Sequence, residues 1–146
     1  MTYLLTSEHD ELRAVVRELA EERIAPRAAA IDESGEFPMD LKELLAKQDL
    51  LGTCFEERHG GTALDTIAQS ILVEELARAD ATTSLIPIVQ KLGALPIILS
   101  GTDEQKDRYL PRLASGEWLI AFALTEAAAG SDVAANKMRA RLDGDC

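Results

Sequence analysis

Histidine and cysteine are scarce, two of each in 146 residues. Cys54 and Cys146 are too few for a disulfide framework, and a reduced, cytoplasmic setting is the default expectation. No His or Cys pair has ligand spacing, so zinc has no local site. Glu56 and His59 do have the Glu-x-x-His spacing of di-iron bundles, but such a site needs a second pair, and the other histidine, His9, has Thr6 three residues before it. Basic residues are also short, 15 against 26 acidic ones, for a net charge of −11. That balance argues against nucleic acid or an anionic membrane surface as partner. No apolar run approaches the length of a membrane span, because Leu92 to Leu99 is broken by glycine and proline. Tyr3-Leu4-Leu5 is too short for the apolar core of a signal peptide. The chain carries no Gly-x-Gly-x-x-Gly, no phosphate loop, no Gly-x-Ser-x-Gly around Ser131 and no internal repeat. The expectation is an intracellular, soluble chain.

What remains is mostly helix. Apolar residues make up 47% and aromatics only 4%, with Ala, Leu and Glu abundant, which favours helix over sheet. A first helix opens at Thr6 or Ser7, with Leu12, Val15, Val16 and Leu19 as its apolar stripe, and Pro26 should kink or end it. A second runs from Met39 or Asp40 to about Leu50, turning Leu41, Leu44 and Leu45 inward, with Gly52 as its stop. A third, roughly Leu64 to Ala79, buries Leu64, Ile67, Ala68, Ile71, Leu72 and Leu76. Its Glu74, Glu75 and Arg78 pair at helical spacing, support for a helix rather than chemistry. Asp80 caps a fourth, apolar nearly all round and hence buried, which Pro87 should interrupt; Gln90 and Lys91 are its polar exceptions. Gly93 to Ser100 contains Pro96 and a short helical turn. Thr102-x-x-Gln105 is a capping box, followed by inward Tyr109, Leu110 and Leu113 and a stop at Ser115-Gly116.

Beyond Gly116 the helical period gives way to a continuous apolar run. Leu119 to Leu124 holds no charge and reads as a strand buried on both faces or a buried helix segment. It opens into Ala127-Ala128-Ala129-Gly130-Ser131-Asp132. A strand that ends in small residues can bring bare backbone N–H and C=O groups against the donor–acceptor edge of a flat ring such as a flavin. Gly130 adds freedom for positive φ, and Thr125 and Ser131 offer hydroxyls. Lys137 to Leu142 alternates imperfectly as a second strand before an Asp143-Gly144 turn. The expected architecture is therefore a helical domain over residues 1–115 and the first strands of an incomplete β-domain over residues 116–146.

Phe122-Ala-Leu-Thr-Glu-Ala-Ala-Ala-Gly-Ser-Asp132 resembles the flavin-binding signature of the acyl-CoA dehydrogenases, usually Leu-Thr-Glu-Pro-x-Ala-Gly-Ser-Asp. Arg58-His-Gly-Gly-Thr-Ala-Leu-Asp65 is similar to that family's Tyr-Gly-Gly-x-Gly-Leu-Asp. Val73-Glu-Glu-Leu-Ala-Arg-Ala-Asp80 and Gly101 to Pro111 follow it in the same order, so the likeness covers nearly the whole chain. Ala127 stands where the family usually has proline, His59 where it has tyrosine and Met138 where threonine is common.

The resemblance implies the helical N-terminal domain of an FAD-dependent enzyme that converts an acyl-CoA thioester to its 2,3-enoyl thioester and passes electrons to a flavoprotein acceptor. Phe122, Leu124 and Thr125 would meet the flavin, with Gly130 and Ser131 closing the loop and Ser131 also touching the thioester ligand. The fourth helical region would line the acyl pocket, and the full-length protein would be a homo-oligomer. The family's catalytic glutamate lies in a later helical domain, so no residue here is assigned as catalytic, and these residues alone should not dehydrogenate acyl-CoA. An acyl-CoA oxidase or flavin monooxygenase on the same scaffold, or a non-catalytic helical interaction module, are the alternatives.

Overall fold

The computed structural model describes residues 5–141, 143 and 144. Its helices are α1 (Ser7–Leu19), α2 (Ala28–Ser34), α3 (Met39–Lys47), α4 (Thr66–Ala79), α5 (Ala81–Ser100) and α6 (Asp103–Ala114). Most begin on a residue that can satisfy the free N–H groups of a first turn. Thr6 caps α1 and Thr102 caps α6, both with reciprocal capping boxes, while Asp65 caps α4 and Asp80 caps α5.

Pro26 does not end the first helical run. The chain passes through a π-turn (Ala20–Ile24) and a 3-10 turn (Ala25–Arg27) straight into α2. Pro26 sits in the first residues of the 3-10 turn, where its missing N–H does least harm. The run keeps one buried face: Val16, Ala20, Ile24 and Ile31 are all core, whereas Val15, expected in the stripe, is exposed. These residues pack with Leu41 and Leu45 of α3, Leu51, Leu72 and Leu76 of α4 and Ile86 of α5. On α4 the buried set is Ala68, Ile71, Leu72 and Leu76, and Ile67 points to solvent.

α3 ends earlier than expected, at Lys47, because Asp49 takes the left-handed turn at φ 56°. Aspartate tolerates that region better than most residues. Gly52 serves packing instead: a Cβ there would lie 3.0 Å from the Ala114 Cβ.

α5 runs for 20 residues with both Pro87 and Pro96 inside it. A helix-interior proline removes one hydrogen bond and costs about 3 kcal/mol in isolation. Here one face of α5 is fixed by α4 and α6, with Thr83, Ser84, Ile86, Pro87, Gln90, Gly93 and Ala94 buried, and that packing overrides the break. The opposite face is not core: Leu85, Leu92, Leu95 and Leu99 are exposed. At 20 residues and a mean hydropathy of 1.4, α5 is also long and apolar enough to cross a membrane, contrary to the expectation from sequence. Its burial against α4 and α6 is that of a bundle's central helix.

A second, smaller cluster joins Phe55, Ala94, Leu110, Leu113 and Ala114, with Ile97, Trp118 and Ile120 packed on it. Gly116 closes α6 at φ +72°, where a Cβ would meet Ala46 and Leu51. From Leu119 to Thr125 the chain belongs to no helix and no ladder, and among the described residues no strand forms. A strand is defined by its partner, and the described residues offer only an antiparallel bridge between Glu126 and Ala129. Nor is the run buried: Leu119, Phe122 and Leu124 are 44%, 42% and 40% exposed. The second expected strand is likewise unpaired over Lys137 to Arg141, and Leu142 lies outside the described residues.

Candidate functional site

The segment that leaves α6 is laid against α5 before it reaches the small-residue loop. Gln90, 1% exposed, projects from α5 into this join. Its Nε2 donates to the carbonyls of Leu113 at 2.7 Å and Trp118 at 2.9 Å, and its Oε1 accepts from the Ile120 N–H at 3.3 Å. One turn later Gly93 lets the segment close in, since a Cβ there would stand 2.8 Å from Ile120 Cγ2 and 3.1 Å from the Ala121 carbonyl. Phe37, Leu85, Ile86, Val89, Leu119 and Ile120 line an apolar pocket of about 270 Å³ beside this join. A larger groove of about 470 Å³ runs between α4 and α5 over Val73, Ile88, Leu92 and Leu95, with Lys91 donating to Gln69 across it.

Past Thr125 the chain turns tightly. The N–H and C=O groups of Glu126 and Ala129 bond reciprocally at 3.1 Å, with Ala127-Ala128 at the tip. The Glu126 carboxylate then accepts from the Lys137 and Met138 N–H groups at 2.9 and 2.8 Å, and Asn136 Nδ2 donates to the Leu124 carbonyl at 2.9 Å. These contacts close residues 126–138 into a loop whose neck is held by Glu126. Ala129 is buried within it, while Gly130 and Ser131 lie on its exposed rim.

Phe122, Leu124, Thr125, Gly130 and Ser131, the candidate residues from sequence, therefore share one exposed strip and loop rather than a closed pocket. One expected property fails: Gly130 does not have positive φ, which in the described residues is confined to Gly35, Gly60, Gly116 and Gly144 among glycines. Its use is space, since a Cβ there would meet nothing within 4 Å. Gln90, Glu126 and Asn136 have positioning roles that the sequence reading did not assign. Of these only Gln90 carries a signal, a neutral amide in an otherwise apolar helix.

Other polar clusters are internal. His9 accepts the Thr6 N–H at Nδ1 and meets Asp65 through Nε2 at 3.1 Å, joining the first turns of α1 and α4. The Ala68 N–H, and after it His9, hold the Asp65 carboxyl below the usual range. His59 meets Asp107 at 3.1 Å while Glu56 accepts from Arg58 at 2.7 Å, so the two residues of the Glu56-x-x-His59 spacing serve separate contacts. Among the described residues no group of three metal-ligating side chains comes together.

Phe122 to Thr125 are exposed residues with the Thr125 hydroxyl among them, the Leu124 carbonyl already accepts one bond from Asn136, and the space beside Gly130 is open. This donor and acceptor set is chemically compatible with a flavin edge.

Residues 6–117 match the family model described as acyl-CoA dehydrogenase, N-terminal domain. The chain belongs to the acyl-CoA dehydrogenase family. It is 43% identical over 143 residues to "Probable acyl-CoA dehydrogenase FadE25" of Mycobacterium tuberculosis, covering 98% of this chain and 37% of that protein. Glutaryl-CoA dehydrogenase from Mycobacterium smegmatis superposes with a TM-score of 0.88 at 35% identity, over 97% of this chain and 37% of that one. A chain from the structure of the electron transferring flavoprotein of Acidaminococcus fermentans gives 0.90 at 34% identity, over 99% and 38%. The chain thus spans a little over a third of the length of the relatives it matches, and its helical architecture is that family's N-terminal domain.

Proposed function

We propose that the protein is an FAD-dependent acyl-CoA dehydrogenase and that this chain supplies one wall of its flavin and acyl sites. The observation that carries the reading is the exposed strip from Phe122 to Ser131 on a scaffold 43% identical to a protein named as an acyl-CoA dehydrogenase. In the reaction an acyl thioester loses a proton from Cα and a hydride from Cβ, giving the 2,3-enoyl thioester. Bound FAD would supply the hydride acceptor.

Every residue role on this chain is one of binding and orientation. Backbone groups of Phe122, Leu124 and Thr125 and the Thr125 hydroxyl hold the flavin's polar edge. The Gly130-Ser131 rim closes over it, with the Ser131 hydroxyl turned to the thioester ligand. The exposed face of α5 lines the acyl chain's path. The base that takes the α-proton is assigned to no residue here; we place it in a later helical domain of the parent protein. The domain boundary we propose lies near Gly116, with residues 1–115 helical and residues 116–146 opening a β-domain. The protein would work in the cytoplasm as a homo-oligomer and hand electrons to a flavoprotein. The likeness to a chain in an electron transferring flavoprotein structure supports that acceptor class. The names of the relatives favour dehydrogenation over an oxidase, a monooxygenase or a non-catalytic module.

The test begins with the intact subunit mass of the protein as its own cell makes it, expected well above the 15.9 kDa of this chain. That protein is then purified with its flavin and mixed anaerobically with acyl-CoA thioesters of short, medium, long and branched or cyclic acyl groups. Loss of the visible flavin band, with enoyl-CoA formed, is the expected result. A protein that holds no flavin, or whose flavin no acyl-CoA bleaches, overturns the reading; fast reoxidation by oxygen assigns it to the oxidases.

A further inference from the structure

The join between α5 and the extended segment uses more specific chemistry than a chain connection needs. Gln90 commits both amide hydrogens and its carbonyl oxygen to three backbone groups: Leu113, Trp118 and Ile120. The amide itself is buried; without it the Trp118 carbonyl and the Ile120 N–H would lose the partner they have here, while the Leu113 carbonyl would keep only the Gly116 N–H at 3.2 Å. Leu113 lies in α6, and Trp118 and Ile120 lie on the outgoing chain, so one side chain sets both the end of α6 and the register of the segment beyond it. Gly93, three residues on and hence on the same helix face, fixes how closely that chain approaches. The unusual feature is the pairing of a buried amide and a glycine on a helix whose other face is the exposed apolar one.

We propose that Gln90 and Gly93 are positioning residues that set the height and register of the flavin-contacting strip, Phe122 to Thr125, relative to the exposed face of α5. The inference rests on the proposed flavin site. Ile120, hydrogen-bonded to Gln90, is two residues from Phe122, so displacing the chain at Ile120 also displaces Phe122 and the backbone groups that follow it to Thr125. One helix thus serves both surfaces: α5 carries Leu85, Leu92 and Leu95 outward and, through Gln90 and Gly93, holds the chain from Trp118 to Ala121 that leads into the strip.

The test uses the natural protein with three substitutions, measuring FAD affinity of the stripped protein, the visible absorption and circular dichroism of the bound flavin, and thermal stability. Gln90→Met keeps volume but strips the Trp118 carbonyl and the Ile120 N–H of their partner and leaves the Leu113 carbonyl with the Gly116 N–H alone. Gly93→Ala puts a methyl against Ile120 and the Ala121 carbonyl. Leu45→Ala, in the core cluster of α1 and α3, is a control that loosens the fold away from the join. We expect Gln90→Met to weaken FAD binding at least about tenfold and to alter the flavin spectrum, with Leu45→Ala leaving both unchanged at equal or lower melting temperature. Gly93→Ala is expected to change the spectrum and weaken binding by more than Leu45→Ala does at a comparable melting temperature, since the overlap with Ile120 displaces the chain while alanine's better helix propensity offsets part of the cost. Wild-type affinity and spectrum in both Gln90→Met and Gly93→Ala overturn the positioning role while leaving the flavin site standing. Equal loss in Leu45→Ala also overturns it, since stability alone would then explain the effect. An unmutated protein that binds no FAD overturns the flavin site and this inference together.

Discussion

Arg17 grips Glu75 side-on, with Nε donating to Oε2 at 2.9 Å and a terminal nitrogen donating to Oε1 at 2.8 Å. Arg78 adds a third bond to Oε2 at 2.8 Å. Glu75 is 1% exposed, so α1 and α4 are riveted by a buried charge with three charge-assisted contacts.

This arrangement gives stability a defined pH dependence. The Arg17 hydrogen bond, against the opposing effect of burial, holds the Glu75 carboxyl at about 2 instead of 4.5. The folded pKa is depressed, so the contribution is full above about 4.5 and is lost as pH falls toward 2. Denaturant melts at pH 7 and at pH 3 should show a decline that Glu75→Gln flattens. At pH 7, Glu75→Ala should cost about 1–3 kcal/mol: three charge-assisted bonds go, but Arg17 and Arg78, 43% and 52% exposed, regain water.

Gly61 is a steric requirement rather than a flexible point. A Cβ there would sit 2.1 Å from the Phe55 carbonyl oxygen and 2.6 Å from that of Gly52. Both are backbone, so relief requires the loop from Gly52 to Ala63 to open. Gly61→Ala is expected to cost about 3 kcal/mol or more in urea denaturation, whereas Gly35→Ser, limited to a left-handed turn in open space, should cost about 1 kcal/mol.

Cys54 should be a sluggish thiol. Burial, only partly offset by Lys91, pushes it from 9.0 up to about 11. At pH 8 its thiolate fraction should fall about a hundredfold, and alkylation by iodoacetamide should slow by a similar factor relative to the unfolded chain. Peptide mapping at Cys54 under native and denaturing conditions gives the ratio.

Thr125→Val and Gly130→Ala separate fold from ligand binding. Both positions are exposed, and the Gly130 φ suits alanine, so melting should move by no more than about 0.5 kcal/mol. FAD affinity should drop about tenfold for Thr125→Val through the lost hydroxyl. Gly130→Ala should weaken it as well, by occupying space the ring needs. Isothermal titration of the natural protein measures both.

Three helix starts were legible because their chemistry is local: Thr6, Asp80 and Thr102 each bond a group three residues on, and Asp65 does the same where the expected start was Leu64. The flavin-contact candidates came from a resemblance in a short stretch, and in the structure they are exposed along that stretch. What the sequence hid depends on distant partners. Glu75 looks like a surface residue until Arg17, 58 positions away, is folded against it. Gln90 looks like an exception in an apolar helix until Trp118 and Ile120 arrive beside it. Pro87 and Pro96 misled for the same reason: local propensity favours a break, and packing from α4 and α6 forbids it. The apolar run from Leu119 to Leu124 carries strand character without a described partner, so its side chains stay exposed.

The π-turn at Ala20–Ile24 has a consequence for how the N-terminal run tolerates change in length. Four residues of α-helix advance about 400°, a drift of about 40° per step that would carry Ile24 well round from Val16. The wider turn takes back that drift, so Val16, Ala20 and Ile24 stay in line and Ile31 joins them in the core. Removing one residue between Leu19 and Pro26 would therefore convert the wide turn to an ordinary α-turn rather than disrupt the run. Ile24 would then follow Val16 by seven residues, about 700°, and would stay within about 20° of the same face, whereas adding a residue would swing Ile24 and Ile31 away from the core together.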